Sequence, residues 1–286
     1  MADDPAVRAV PALSVVLPAS NEAEWIGPCL RALCGSKWTN PSFVEVLVIA
    51  NGCRDDTADR ARAMAPVFAA RGWELVVIER DEGGKLGALN AGDAAARGAI
   101  RVYLDADVTV SNGLLGQLHH ALDTDRPRYA SGRVRITARG AVSRAYARIW
   151  RRVPFMAQGV PGCGVFAVNA AGRARWGAFP DIISDDTFVR LSFAPDERIG
   201  VPASYDWPIA EGMCNLIRVR RRQDTGVTEI ADRFPELTAN DDTPAVPLSG
   251  KLALAAGDPV GFAVYTGVAL AVRMRPAPPT DWSRGR

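Results

Sequence analysis

The sequence predicts an α/β fold with a mostly parallel sheet flanked by helices. Four short apolar runs, typical of buried strands, alternate with segments in which apolar residues recur at helical spacing. This alternation indicates βαβ units, whose right-handed crossovers bring the carboxyl ends of the strands to one edge of the sheet. Polar or charged residues follow each run, and open α/β sheets bind ligands at this edge. We therefore predict a nucleotide-type site in the first half of the chain.

The composition is that of an ordinary globular protein. The chain has 286 residues, of which 48% are hydrophobic and 23% charged, and its net charge is +2. A charge this close to zero gives no global sign of nucleic-acid binding. The five cysteines include no Cys-x-x-Cys pair and the two histidines are adjacent, which disfavours a zinc site and is typical of a reducing compartment. We expect a cytoplasmic protein without a nucleic-acid partner.

The predicted elements follow one another in a regular order. The first four strands cover residues 13–17, 44–50, 73–78 and 100–104, and the helices between them cover residues 25–35, 57–70 and 85–97. The second half contains predicted helices over residues 113–122, 141–156 and 211–222, one more helix that begins after Ser184, and strands over residues 128–137 and 165–168. The apolar stretch 260–272 is too short to span a membrane. We expect it to be buried, with a position in a membrane interface as the alternative.

Two aspartates follow the fourth predicted strand. Asp105 and Asp107 are separated by one alanine, so both carboxylates lie near one point beyond the strand end. Such a pair suits a divalent cation that keeps some waters and takes its other ligands from a substrate phosphate. Aspartate also favours turns and helix caps, so these residues alone leave a structural role open.

The loops at the predicted edge lack the signatures of two common nucleotide folds. No Gly-x-Gly-x-x-Gly follows the first strand, where residues 18–22 read Pro-Ala-Ser-Asn-Glu. The turn at Gly83, Gly84 and Lys85 lacks the upstream glycine and the following Ser or Thr of a P-loop. These absences disfavour a dinucleotide-binding domain and a P-loop protein. The missing glycine-rich loop also disfavours a nucleotidyltransferase.

Five motifs resemble, in order and spacing, those of the family 2 inverting glycosyltransferases, which have the GT-A fold. They lie at residues 13–22, 51–57, 84–90, 105–107 and 184–186. The resemblance covers roughly residues 13–226 and implies a Rossmann-like sheet with a smaller acceptor-side half. It divides the chain into a nucleotide-sugar-binding half (10–122), an acceptor-binding and catalytic-base half of the same domain (123–235), and a C-terminal extension (236–286).

The resemblance implies a nucleotide-sugar donor. Pro18 and Glu22 would shape the pocket for the base and ribose. Asp55 or Asp56 would accept a hydrogen bond from the base, although acidic residues here are also typical of a helix start. Lys85 would approach the base or the phosphates.

The resemblance also implies a metal ion and a general base. Asp107 would bind Mg²⁺ or Mn²⁺ bridging the diphosphate, and Asp105 would contact the ribose, or the metal through water. The cation would stabilise the charge that gathers on the leaving nucleoside diphosphate. Asp186 would take the proton from the acceptor hydroxyl, with Asp185 as the second candidate, because the family more often has Glu at position 185.

Two arginine clusters and a glycine-rich segment complete the candidates. Arg144, Arg148, Arg151 and Arg152 share one helix face, which is either solvated or in contact with anionic lipid head groups. Arg218 and residues 220–222 are either solvated or a clamp on the diphosphate, with Arg221 as our candidate. Three glycines in residues 159–164 allow either a close ligand or a turn.

We therefore predict a metal-dependent inverting glycosyltransferase that moves one sugar from a nucleotide-diphosphate sugar, with UDP favoured, to an acceptor hydroxyl. The acceptor remains open between a carbohydrate, a lipid-linked molecule and a small molecule. A lipid acceptor would imply peripheral contact with the inner membrane leaflet. The Gln-x-x-Arg-Trp pattern of processive members is absent, which implies a single transfer. The alternatives are a nucleotidyltransferase of similar topology and a non-catalytic module that binds nucleotide or membrane.

Overall fold

The structure is a computed structural model that describes residues 10–274, and its centre is an eight-stranded sheet. The strands are β1 (Leu13–Ala19), β2 (Val44–Asn51), β3 (Glu74–Arg80), β4 (Ile100–Leu104), β5 (Thr109–Val110), β6 (Tyr129–Thr137), β7 (Val165–Val168) and β8 (Arg198–Pro208). The helices are α1 (Ile26–Cys34), α2 (Thr57–Arg62), α3 (Ala65–Ala70), α4 (Lys85–Ala95), α5 (Leu114–Leu122), α6 (Ala141–Trp150), α7 (Pro154–Ala157), α8 (Ala170–Arg173), α9 (Asp185–Leu191), α10 (Met213–Arg233), α11 (Leu248–Gly257) and α12 (Pro259–Met274).

The first four strands form the parallel half of the sheet, in the order β3-β2-β1-β4. Every residue of β1 and β2 is buried, because helices cover both faces of this region. Val46 and Val48 pack in one apolar cluster with α1, whereas Leu47 and Ile49 pack with Ala88 of α4 on the other face. The predicted α/β fold with a mostly parallel, helix-flanked sheet is confirmed. Parallel pairing also places the carboxyl ends of these strands at one edge.

The second half of the chain extends the same sheet. Strand β7 runs antiparallel to β4, and β6, β8 and β5 follow it in that order. Strands β6 and β8 pair in parallel, with a shift of register between Ser131 and Arg133. One sheet thus joins the two predicted halves. The limits of those halves, residues 10–122 and 123–235, stay predictions. The predicted C-terminal extension covers residues 236–286, of which residues 275–286 lie outside the described residues.

Two predicted helices are each divided. The helix predicted over residues 57–70 forms α2 and α3, and the helix predicted over 141–156 forms α6 and α7. Pro66 and Pro154 stand in the first turn of α3 and α7, where the missing N–H of proline is tolerated, whereas it would interrupt a continuous helix. The helix predicted over residues 211–222 begins two residues later, at Met213, and continues to Arg233 as α10.

The apolar stretch 260–272 lies in α12, which packs against α6 and α10. Gly261, Val268 and Val272 are buried, but Val260 and Leu270 are exposed, so the predicted burial holds for one face of the helix. Among the helices of residues 10–274, none combines the length and the apolar character that crossing a membrane requires.

Candidate active site

A cleft of about 250 Å³ lies at the carboxyl edge of the parallel strands. Residues at or just after the carboxyl ends of β1, β2 and β4, together with the starts of α4 and α9, provide its mostly polar part: Pro18, Ser20, Glu22, Asn51, Lys85, Asp105, Asp107, Asp185 and Asp186. Helices α6 and α10 and the end of β8 provide the rest, which includes Tyr146, Trp150, Trp207, Leu216, Val219, Arg220, Arg222 and Gln223. The fold therefore brings residues from all five sequence motifs to one cleft.

The ammonium group of Lys85 lies between carboxylates from two motifs. Lys85 is the first residue of α4, and Gly84 before it has a φ of 122°, a conformation that favours glycine. Lys85 Nζ is 3.0 Å from Asp105 Oδ1 and 3.0 Å from Asp185 Oδ2. Burial alone would lower the pKa of Lys85, but the charges of Asp105, Asp185 and Asp186 raise the pKa above its usual range. Lys85 is therefore a cation at every pH of interest.

The two carboxylates at the start of α9 have different surroundings. Asp185 is 7% exposed and pairs with Lys85. Burial and the charge of Asp185 raise the pKa of Asp186 to about 6, while Lys85 acts in the opposite direction. The backbone N–H of Thr187 donates a hydrogen bond of 2.7 Å to Asp186 Oδ1. A carboxylate with this pKa is suited to accepting a proton near neutral pH.

The turn after β4 fixes the position of Asp105. Its N–H donates to the carbonyl of Gly164 over 2.8 Å, and its carbonyl accepts from the N–H of Val108 over 3.1 Å. Gly164 lines the cleft at a φ of 77°, and a Cβ there would lie 2.7 Å from Val108 Cγ2 and 2.8 Å from Trp207 Cδ1. Within the segment 159–164, Gly164 stands in a turn and needs a glycine conformation, and since it borders the cleft its contact with a ligand stays a prediction.

Helix α10 positions the start of α9. Ser184 occupies the N-cap position as predicted, but its side chain makes no capping hydrogen bond. Instead, the N–H of Ile183 donates to Glu229 Oε2 of α10 over 2.8 Å. A Cβ on Gly226 of α10 would lie 2.1 Å from Ser184 Oγ, so the absence of a side chain lets α10 pack directly on this loop.

Asp55 joins two loops of the cleft edge. It accepts hydrogen bonds from the N–H and the hydroxyl of Thr57, at 3.1 and 2.5 Å, and the same hydroxyl oxygen accepts from the N–H of Glu22 over 2.7 Å. Burial acts to raise the pKa of Asp55, but these hydrogen bonds outweigh it and lower the pKa. Asp56 is exposed and pairs with Arg60 at 2.8 Å. Neither aspartate lines the cleft, so their contact with the base stays a prediction.

Helix α10 presents Arg220 and Arg222 to the cleft, whereas the candidate Arg221 is not among the lining residues. The α10 residues of the lining are Leu216, Val219, Arg220, Arg222 and Gln223. Most of these residues are three or four positions apart and therefore lie on one face of the helix. Arg221 does not fit this spacing and lies outside that face. Arg220 is held in place, because its Nε is 2.7 Å from Asp224 Oδ1 and its Nη1 is 3.5 Å from the hydroxyl of Tyr265.

The aromatic part of the cleft was not predicted from the sequence. Tyr146 and Trp150 come from α6 and Trp207 from β8, and the Trp150 and Trp207 rings lie 5.3 Å apart between centroids. The helical spacing of Tyr146 and Trp150 is a signal, but it is equally typical of a core face. The residues around Trp207 carry no local signal.

The residues of the cleft fit a metal that is bound partly by substrate. Within residues 10–274, no three His, Cys, Asp or Glu side chains are placed to hold a metal ion together. Asp105 and Asp107 both line the cleft. Mg²⁺ is commonly bound by one or two carboxylates, with water and substrate phosphates as the other ligands. The donor set is therefore of the right kind for Mg²⁺ or Mn²⁺ in the presence of a diphosphate.

The sequence matches the family model described as Glycosyl transferase family 2 over residues 14–172. It is 35% identical over 98 residues to glycosyltransferase AglE of Haloferax volcanii, a match that covers 34% of this chain and 31% of that protein. It is 28% identical over 109 residues to the uncharacterized glycosyltransferase EpsJ of Bacillus subtilis, covering 38% of this chain and 30% of that one. The chain thus matches about a third of the length of these curated relatives.

Solved structures share the fold. The mannosyltransferase PcManGT from Pyrobaculum calidifontis, in complex with GDP-Man and Mn²⁺, has a TM-score of 0.56 and 20% identity, over 95% of this chain and 78% of that chain. S. aureus TarS in complex with UDP has a TM-score of 0.52 and 13% identity, over 92% and 91%. Glucosyl-3-phosphoglycerate synthase from Mycobacterium tuberculosis, in complex with Mn²⁺, UDP and glucosyl-3-phosphoglycerate, has a TM-score of 0.52 and 21% identity, over 78% and 80%. The predicted GT-A fold is confirmed.

Proposed function

The chain belongs to glycosyl transferase family 2, and on this basis we propose that it is an inverting glycosyltransferase that uses a nucleotide-diphosphate sugar. One observation carries the proposal: Lys85 pairs with Asp105 and Asp185 in a cleft that Asp107 and Asp186 also line. The family favours this reaction over the nucleotidyl transfer considered from the sequence. A carboxyl group with a pKa of about 6 in that cleft favours a catalyst over a non-catalytic binding module.

The donor would bind at the edge of the parallel strands. In this proposal Pro18 and Glu22 shape the pocket for the base and ribose, and both line the cleft. UDP is the favoured nucleotide because the family uses it most often. TarS is solved with UDP and PcManGT with GDP-Man, so both nucleotides belong in the test.

The diphosphate would lie beside the carboxylates and arginines of the cleft. Asp107, with Asp105 directly or through water, would hold Mg²⁺ or Mn²⁺ against it. When bound, the ion supplies Lewis-acid stabilisation of the charge on the leaving nucleoside diphosphate. Arg220 and Arg222, which line the cleft, would add charge-assisted hydrogen bonds to the same phosphates, the role expected of Arg221 from the sequence. The Mn²⁺ in the PcManGT complex supports a divalent ion here.

Asp186 is the proposed general base. Asp185 already pairs with Lys85 at 3.0 Å, so we assign the base to its neighbour Asp186. Asp186, with a pKa of about 6, is mostly ionised at neutral pH and still basic enough to take the acceptor proton. The acceptor oxygen would attack the anomeric carbon on the side opposite the diphosphate, which inverts its configuration.

The acceptor would lie against the aromatic part of the cleft. Tyr146, Trp150 and Trp207 offer apolar ring surface beside the carboxylates. This surface suits the C–H faces of a carbohydrate as well as a lipid-linked or small-molecule acceptor. We propose a single transfer in the cytoplasm, which the five free cysteines support.

A thermal-shift panel tests the proposal. Purified protein is heated with UDP-, GDP- and dTDP-sugars, each with and without Mn²⁺. A ligand at 100 times its Kd adds about 2.7 kcal/mol to the free energy of unfolding, which gives a clear rise in Tm. We expect one nucleotide series to raise Tm only with Mn²⁺, and its nucleoside diphosphate to be released on turnover. A chain that is stabilised by none of them, or that releases pyrophosphate from a nucleoside triphosphate instead, is not this enzyme.

A further inference from the structure

Helices α11 and α12 expose large apolar side chains to solvent. We call five of them, each between 58% and 75% exposed, the C-terminal apolar face: Leu248, Leu252, Val260, Leu270 and Met274. Helix α11 has no buried residue, and α12 buries only one face, against α6 and α10. Helix α12 is therefore apolar on its outer face as well as on its packed face. Leu248 and Leu252 are one turn apart on α11, as are Leu270 and Met274 on α12, and clustered exposed apolar side chains of this kind mark an interaction site.

The surroundings of this face are basic. Residues 139–157, which include α6, contain five arginines and no acidic residue. Residues 244–274, which include α11 and α12, contain Lys251 and Arg273, with Asp258 as the single acidic residue. These two segments therefore carry a net positive charge.

Contacts at the corner between α11 and α12 join the two basic segments. Asp258 accepts two hydrogen bonds from the guanidinium of Arg148 of α6, at 2.6 and 3.1 Å, so its charge is balanced within the protein. A Cβ on Gly257 would lie 3.6 Å from Arg152 Nη1, which places a second guanidinium at the same corner. Arg148 of α6 and Arg152, just after it, thus lie beside the corner of the two apolar helices.

We infer that the C-terminal apolar face binds peripherally to the surface of an anionic lipid bilayer. Its apolar side chains enter the boundary of the acyl region, and the surrounding arginines and lysine contact acidic head groups. A neutral apolar partner would leave this positive charge unmatched, which is why an anionic bilayer is the better occupant. Binding is interfacial, because no helix of residues 10–274 is suited to crossing a membrane.

The face is also linked to the cleft through one layer of side chains. Val268 and Val272 of α12 belong to the same apolar cluster as Tyr146, Trp150 and Leu216, which line the cleft. Docking would therefore place the bilayer behind the aromatic part of the cleft. The inference concerns membrane binding alone and does not rest on the proposed function.

Co-sedimentation with vesicles tests the inference without any nucleotide sugar. The full chain is mixed with vesicles of phosphatidylcholine, with or without phosphatidylglycerol. We expect it to pellet with the mixed vesicles only, and less so in high salt, which screens the head groups. Leu252→Glu and Leu270→Glu should each lower the partition coefficient roughly tenfold or more, because each removes a buried leucine from the bound state. Lys251→Gln and Arg273→Gln should each lower it about fivefold.

Val67→Glu is the matched control, since Val67 of α3 is 50% exposed and lies outside this face. It should bind vesicles as the parent does, and all variants should keep the parent's Tm in the absence of lipid. Equal partition of the parent and of Leu270→Glu overturns the inference. A second outcome also overturns it: the parent binds neither vesicle type and is a dimer, whereas Leu252→Glu is a monomer. The face would then join two copies of the chain.

Discussion

The Nζ atom of Lys85 lies 3.0 Å from Oδ2 of Asp185 and also 3.0 Å from Oδ1 of Asp105. One side chain at the start of α4 thus joins the turn after β4 to the start of α9, two segments far apart in the sequence. A cation between two carboxylates stabilises both anions. It also holds the candidate metal motif and the candidate base at a fixed separation. Lys85 therefore has an electrostatic role and a positioning role in the cleft.

Removing the charge of Lys85 should change the pH dependence of activity. Lys85 lowers the pKa of Asp186, so Lys85→Met should raise that pKa above about 6. The acid limb of kcat/KM should then move up by roughly one pH unit or more. Lys85→Arg keeps the charge and should leave the limb in place, even if the rate falls. An unchanged limb in Lys85→Met would mean that Lys85 and Asp186 are not linked electrostatically.

The choice between the two α9 carboxylates can be made kinetically. We expect Asp186→Asn to lower kcat by roughly 10² to 10⁴, the usual contribution of a general base. In the parent, kcat should fall below pH about 6, as Asp186 becomes protonated. Asp185→Asn should cost less and keep an acid limb, which should move to lower pH because the charge of Asp185 raises the pKa of Asp186. If Asp185→Asn removes the limb while Asp186→Asn retains it, the base is Asp185.

Asp186 should also make the protein less stable at neutral pH. Its pKa is 3.8 in the unfolded chain and about 6 in the folded one, so the folded state binds more protons between these values. The free energy of unfolding therefore falls as pH rises through this window, and the loss is complete above it. Asp186→Asn should raise the free energy of unfolding by about 1–2 kcal/mol at neutral pH, allowing for partial exposure, and by much less in acid. Urea unfolding at several pH values measures this, and a variant less stable than the parent at neutral pH would contradict it.

Local sequence signals were sufficient for the parallel half of the sheet. Strands β1 and β2 are mostly apolar and buried throughout, and polar residues stand at or just after their carboxyl ends. Because parallel strands end at the same edge, motifs that are distant in sequence could be placed together before the structure was known. Asp105 and Asp107 do line the cleft at this edge, and so do Asp185 and Asp186 of α9, which only the family resemblance had placed at the site.

The side of the cleft that β8, α6 and α10 form depends on packing that the sequence does not encode locally. Trp207 reaches the cleft because β8 pairs in parallel with β6, and two distant strands carry no local signal for that pairing. Arg220 and Arg222 line the cleft instead of the candidate Arg221 for a similar reason. The arginines were correctly placed on a helix, but the face that meets the cleft is set by how α10 packs against Ser184 through Gly226.

Asp107 should carry the metal dependence. We expect EDTA to abolish turnover in the parent and Mn²⁺ or Mg²⁺ to restore it, because the ion stabilises the leaving diphosphate. Asp107→Ala should lose the rise in Tm that Mn²⁺ gives with the nucleotide, as well as the activity. Asp56→Ala is the control, since Asp56 is exposed and outside the cleft lining. Parent-like Mn²⁺ dependence in Asp107→Ala would place the ion elsewhere.

Gly164 should be the least replaceable glycine at the cleft. It has a φ of 77°, and a Cβ would lie 2.7 Å from Val108 Cγ2 and 2.8 Å from Trp207 Cδ1. Gly164→Ala therefore adds backbone strain to a steric overlap, and we expect it to lower the free energy of unfolding by about 2–4 kcal/mol. Its carbonyl accepts the hydrogen bond from the N–H of Asp105, so kcat/KM of the folded fraction should fall as well.

Substitutions at two other glycines distinguish the cost of backbone strain from the cost of steric overlap. Gly212 has a φ of 82° but open space around its Cβ position, so Gly212→Ala should cost only the backbone strain, about 1 kcal/mol. Gly177 has neither constraint, and Gly177→Ala should stay within about 0.5 kcal/mol of the parent. Urea unfolding gives the three values. If Gly164→Ala costs no more than Gly212→Ala, the contacts with Val108 and Trp207 relax freely, and this side of the cleft is not held rigidly by Gly164.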